Sequence, residues 1–206
     1  MHLLILIFGI VLLPKATTLK CYECVGSESC TGTEKECPSK GFQCAVMRIA
    51  SYEVGAKVAD RHMRSCVGAE QCTEGTVNFG ITKTAITSKC CTADLCNIQP
   101  APEPNNPIPN GRKCYNCNGK TCTETLNCEG DEDHCISAIV SAGGENKIMK
   151  GCASSQMCPN VSAGDIIPAF EGQVICCQGN FCNSASITRT RLLLLVAPLV
   201  SAAILS

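Results

Sequence analysis

The apolar positions of this chain fall into short runs that turn back on themselves, and no helical periodicity lasts more than two turns. Residues 44–51 are rich in Val, Ile and Met. Glu53, Val54, Gly55 and Ala56 form a turn signal, and 57–65 leads back to Cys66. The same order recurs downstream, where 135–140 is followed by Ala142, Gly143, Gly144 and Glu145 and then by 147–152. Later runs at 84–90 and 172–176 each lead into a cysteine doublet. Short β-rich runs divided by glycine-containing turns predict strands and hairpins. The expected fold class is all-β.

Two further apolar runs have the character of processing signals. Residues 3–13 are too short to span a bilayer and are followed by Pro14, Lys15, Ala16, Thr17 and Thr18. They predict a signal peptide over 1–18. Residues 192–205 are almost wholly apolar and contain Pro198. At 1.5 Å per residue such a run reaches about 21 Å, short of the roughly 30 Å hydrocarbon core. Upstream lie the small residues Asn183, Ser184, Ala185 and Ser186, then the polar spacer 187–191. This order specifies a glycosylphosphatidylinositol (GPI) anchor at Ser184 or Asn183, with 185–206 as the removed propeptide. A short transmembrane anchor is the alternative.

Cysteine adds the next level of organisation. The chain has 20 cysteines in two sets of ten. Both sets open with C-x-x-C and close with C-C-x-x-x-x-C-N. The copies are offset by 93 residues at the first cysteine (114 less 21) and by 86 at the last five (182 less 96). Five of the lost residues fall between the fifth and sixth cysteines, and length that varies while cysteine order holds marks a surface loop. This is a tandem duplication of one disulfide-framed module in a secreted chain. Between the sets, 98–112 holds Pro100, Pro102, Pro104, Pro107 and Pro109. It predicts a semi-extended spacer between module one, 19–97, and module two, 113–183. Modules of this size have marginal cores and depend on their bridges. Spacing alone does not choose among the pairings of ten cysteines.

Those motifs, with the opening Leu-Lys-Cys-Tyr-Glu-Cys at 19–24, resemble the lymphocyte-antigen/urokinase-receptor superfamily, whose unit is the three-finger LU domain. The resemblance covers nearly all of the mature chain, twice. It implies two tandem, disulfide-rich three-finger domains. For module one it implies the pairs Cys21–Cys44, Cys24–Cys30, Cys37–Cys66, Cys72–Cys90 and Cys91–Cys96. For module two it implies Cys114–Cys135, Cys117–Cys122, Cys128–Cys152, Cys158–Cys176 and Cys177–Cys182. Asn97 and Asn183 correspond to the asparagine that ties the C-terminal loop into the disulfide hub of that family. The length difference then falls in finger two.

Candidate chemistry is sparse. His2 leaves with the signal peptide, and His62 and His134 have no serine motif beside them, so a surface or structural role is expected. The C-x-x-C pairs could suggest zinc or redox chemistry, but an even cysteine count in a secreted chain favours structural disulfides; no H-E-x-x-H, P-loop, EF-hand or G-x-S-x-G pattern is present, and no cofactor is expected. Asp131, Glu132 and Asp133 read as a solvated loop. Asn160-Val161-Ser162 is a glycosylation sequon. Removal of Lys15, Arg189 and Arg191 leaves 14 basic against 18 acidic residues, a formal charge of −4. That charge argues against a nucleic-acid partner. Candidate contact residues are Tyr52 and Val54 at the tip of finger two, and Ile166, Ile167 and Phe170 in finger three of module two, each group weighed against packing within the molecule. The expected function is a non-catalytic, GPI-anchored surface receptor or adhesion-type protein that binds an extracellular protein ligand through finger loops. Inhibition of a secreted phospholipase A2, as in the gamma-type inhibitors of the superfamily, and a structural membrane-coat role are the alternatives.

Overall fold

Strands account for nearly all regular structure, as the short apolar runs require. A computed structural model describes residues 18–27, 30–104, 108–117, 121–142, 145–158 and 174–184. The leader at 1–17, Asn160, Ile166, Ile167, Phe170 and the stretch 185–206 lie outside the described residues. Module one contributes β1 (Lys20–Ser27), β2 (Thr33–Glu36), β3 (Phe42–Glu53), β4 (Ala56–Gly68), β5 (Gly75–Asn78) and β6 (Thr82–Cys91). Module two contributes β7 (Pro109–Asn116), β8 (Glu124–Glu129), β9 (His134–Ala142), β10 (Glu145–Ala153) and β11 (Val174–Cys177). Among the described residues no helix is long and apolar enough to cross a membrane.

In each module the sulfurs are gathered at one end. The structure joins Cys21 to Cys44, Cys37 to Cys66, Cys72 to Cys90 and Cys91 to Cys96, with Cys24–Cys30 apart in the first finger. Module two has Cys114–Cys135, Cys128–Cys152, Cys158–Cys176 and Cys177–Cys182, with Cys117–Cys122 in its first finger. Cys21, Cys37 and Cys44 are buried together, as are Cys114, Cys128, Cys135 and Cys152. Each bridge contributes about 2–4 kcal/mol, largely by restricting the unfolded chain. The long hairpin β3–β4 turns at Val54 and Gly55 and forms finger two of module one.

The modules are not beads on a flexible string. Among the described residues, nine strands form one antiparallel sheet in the order β11-β9-β10-β5-β6-β3-β4-β1-β2, and β7 and β8 pair separately. The junction is β5 against β10, with Asn78 opposite Cys152 and Val77 opposite Ala153. Ser154 extends it: its N–H donates to Thr76 O at 2.9 Å, and its Oγ accepts from Thr76 N–H at 2.8 Å. Val77, Phe79 and Ile86 of module one share one apolar cluster with Ile136, Ala138, Ala153 and Met157 of module two. Each half-core is small, and the two pool their apolar surface.

The proline-rich segment is fastened along module one over its described residues 98–104. Residues 98–104 lie along module one, and β7 already begins at Pro109. Prolines offer no N–H, but the backbone carbonyls of the segment still need donors. Arg64 Nη2 donates to Ile98 O at 2.6 Å and Thr87 Oγ1 to Pro102 O at 2.6 Å. Arg48 bonds Glu103, and Ala101 is buried.

The seam needs a residue without a side chain. A Cβ on Gly151 would overlap Asn78 O, a backbone atom that cannot step aside. Gly151→Ala is therefore expected to cost about 1–3 kcal/mol, as overpacking does. It should lower the urea midpoint and remove hydrogen-exchange protection at Thr76 and Asn78, while Val77, whose N–H faces β6, keeps its own. Unchanged protection at Thr76 and Asn78 would refute this close approach.

Candidate functional site

Each hub is finished by an asparagine side chain. Asn97 Oδ1 accepts from Tyr22 N–H at 3.0 Å, while Nδ2 donates to Tyr22 O at 2.9 Å and Ala45 O at 3.0 Å. Asn183 does the same with Tyr115 N–H, Tyr115 O and Ile136 O at 3.0, 2.9 and 3.1 Å. One planar amide thus clips the C-terminal loop to two strands at once. The loops reach this position through left-handed residues, Leu95 at φ +55° and Phe181 at φ +57°. Their N–H groups donate to Lys20 O and Lys113 O at 2.7 and 2.8 Å. The hubs hold no thiolate for chemistry, since no described cysteine is free.

Pooling the sheets creates a cleft of about 550 Å³ between the modules. Its floor is one face of β5 and β6, with Thr76, Asn78, Lys83 and Ala85. Pro104 of the linker lines it, as do Leu126, Glu129 and Asp131 from module two. Tyr52, Gly55 and Ile81 bring the fingertips of module one to its edge. Fingers two and three are joined there, since Val54 N–H donates to Ile81 O at 2.8 Å. Val54 and Ile81 nevertheless remain 84% and 52% exposed. Tyr52 therefore belongs to the cleft and Val54 to the open tip beside it.

The acidic run 131–133 is not the solvated loop expected from sequence. Asp131 is exposed at the cleft, Asp133 bonds His134 Nδ1 at 2.8 Å, and Glu132 is fully buried. Glu132 Oε2 accepts from Glu129 N–H at 2.9 Å and from Asn78 Nδ2 at 3.3 Å, and Oε1 lies 3.5 Å from Lys83 Nζ. Lys83 also pairs with Glu129 at 2.8 Å. A charge run is solvated by default, but here the β8–β9 turn lies under module one and one carboxylate is sealed in the seam. His134 is held between Asp133 and Gln178, and His62 lies 3.7 Å from Asp60. Arg48, hydrogen-bonded to both oxygens of Asp60, holds that carboxyl well below the usual range.

Asn78, Lys83, Glu129 and Gly151 carry this arrangement and do not stand out in the sequence. A duplicated pattern describes each module in isolation, whereas these residues act only across the seam. Gly151 carries the sole local signal, a glycine inside a strand run, which can mark close backbone approach.

Burial pushes the Glu132 carboxyl above its ordinary 4.5, although the hydrogen bonds and Lys83 pull the other way. A carboxyl raised on folding contributes stability at low pH that is lost as pH rises through its folded value. Glu132→Gln keeps an oxygen acceptor and removes the charge. The variant should gain in Tm relative to the parent as pH is taken from about 4 to 7. A difference that is flat over that range, or that falls, would show that Glu132 ionises as freely as a surface carboxylate.

Comparison with known proteins follows the same modular division. A family model described as u-PAR/Ly-6 domain matches residues 17–99, and one described as snake toxin and toxin-like protein matches 112–183. The chain is 30% identical over 190 residues to the urokinase plasminogen activator surface receptor of Aotus trivirgatus, covering 84% of this chain and 56% of the receptor. It is 37% identical over 78 residues to a gamma phospholipase A2 inhibitor of Elaphe climacophora, covering 34% of this chain and 39% of the inhibitor. With the phospholipase A2 inhibitor PIP of Malayopython reticulatus it shares 27% identity over 168 residues, 75% of this chain and 82% of the inhibitor. The chain spans just over half the length of the urokinase receptors it matches. On these matches, and on two disulfide-framed three-finger modules, the chain belongs to the u-PAR/Ly-6 and snake-toxin-like superfamily.

Proposed function

We propose that this is a non-catalytic receptor or adhesion-type protein of the cell surface. It holds an extracellular partner protein in the intermodular cleft and on the fingertips beside it. The supporting observation is the cleft itself, a concave site whose edge carries Tyr52 and Ile81 next to the exposed Val54. Concave, partly apolar surfaces with a few placed polar groups are the usual form of a binding site. Relatives named as receptors and as inhibitors support binding rather than turnover.

Anchoring by GPI at Ser184 belongs to the same proposal. Asn183 is buried and spends its side chain on the hub, while Ser184 is the first exposed residue beyond it. Cleavage after Ser184 leaves the hub whole, which favours Ser184 over Asn183 as the attachment residue. The mature N-terminus at Leu19 suits the fold equally, since Leu19 O already accepts from Cys37 N–H at 2.8 Å. A glycan at Asn160 completes the surface reading.

A second reading, inhibition of a secreted phospholipase A2, draws on the match that covers 82% of the python inhibitor. The two readings differ in an assay of secreted phospholipase A2 activity, where only the inhibitor reading expects stoichiometric loss.

Phosphatidylinositol-specific phospholipase C should shed the protein from expressing cells; retention overturns the anchor. Capture of a surface partner with the wild-type protein should fall roughly tenfold or more in the Tyr52→Ser, Val54→Ser variant, the loss expected of a central anchor. Equal recovery removes this fingertip from the binding surface.

A further inference from the structure

We propose that the cleft receives an arginine or lysine side chain, carried beside an apolar residue on a loop of the partner protein. This rests on the reading of the cleft as the partner-binding site. Three carboxylates line it, those of Glu74, Glu129 and Asp131, against the single ammonium of Lys83. Lys83 is already committed to Glu129 and Glu132. Glu74 and Asp131 are exposed and, among the described residues, have no hydrogen bond or ion pair. The unspent groups of the site are therefore acceptors, contributed one from each module.

A site of unmatched acceptors favours a donor with positive charge, and low-dielectric walls strengthen that preference by focusing the field. Tyr52, Ile81 and Leu126 add the apolar part. They suit the methylene stem of a long basic side chain and an adjacent hydrophobic residue, and the Tyr52 ring face adds attraction for a cation. A purely apolar ligand would leave the carboxylates desolvated, and an acidic one would be repelled.

The test uses the full-length chain purified from expressing cells in detergent. The probes are three capped tripeptides, Leu-Arg-Phe, Leu-Gln-Phe and Leu-Glu-Phe, each carrying a fluorine on the Phe ring and followed by 19F line broadening. The Arg peptide should bind roughly tenfold more tightly than the Gln peptide and weaken as salt is raised from about 50 to about 500 mM. Both carboxylates are exposed, so the Glu74→Gln, Asp131→Asn variant should fold normally, and its Arg-over-Gln preference should fall to about one. Equal binding of the Arg and Gln peptides, tighter binding of the Glu peptide, no binding at all, or a preference that survives in the double variant each overturns the proposal. If partner capture still depends on Tyr52 when the peptides show no preference, the binding-site reading stands and the cation alone is lost. If capture is also indifferent to Tyr52, the site reading fails with it.

Discussion

Eight of the ten disulfides hold this molecule in two knots, and the remaining structure can be understood as what the knots allow. Fastening strand ends at one point removes a useful part of the entropy that the unfolded chain would otherwise keep. The strands beyond each knot then need only modest packing to stay paired. Finger two of module one can run as a long hairpin whose tip exposes Val54, and no continuous core has to lie beneath it. Asn97 and Asn183 finish the constraint by filling the hydrogen-bonding capacity of the strands next to the knot.

What a knot cannot supply is a large apolar interior, and that shortage explains the seam. Val77, Phe79 and Ile86 find adequate burial only against Ile136, Ala138 and Met157 of the other module. The edge strands β5 and β10 meet in the process, which also satisfies backbone groups that an open edge would leave bare. Placing two knots side by side leaves a hollow between their fingers. The cleft is therefore a by-product of how two undersized cores combine.

Much of this is legible in the amino-acid order alone. The strand runs at 44–51 and 135–140, the turn at Val54 and Gly55 and the duplicated modules all follow from local patterning, because strands and hairpins are local events. The pairing of the cysteines comes from family resemblance, since spacing carries no such information. The seam is not legible. Asn78 and Cys152 are opposite each other in the sheet, yet neither residue type announces a partner so far along the chain. Glu132 shows the same limit from the other side. An acidic triplet looks solvated until another module is laid over it. The fastening of the linker is hidden for a related reason, because five prolines describe a semi-extended segment but say nothing of Thr87 and Arg64 as donors to its carbonyls.

The seam also has a mechanical meaning. A pull applied between Ser184, fixed to its knot through Cys182, and the fingertip at Tyr52 must pass from one module to the other. The knots are covalent, whereas the seam is held by the β5–β10 pairs, Ser154, the shared apolar cluster and the contacts of Glu129 and Glu132 with Asn78 and Lys83. The joint between modules is thus the part of that path that no disulfide crosses. Once it opens, the linker can peel from Thr87 and Arg48, leaving the modules tethered by residues 98–108, which reach about 40 Å at most when fully extended. A molecule built this way lengthens under tension before either module unravels.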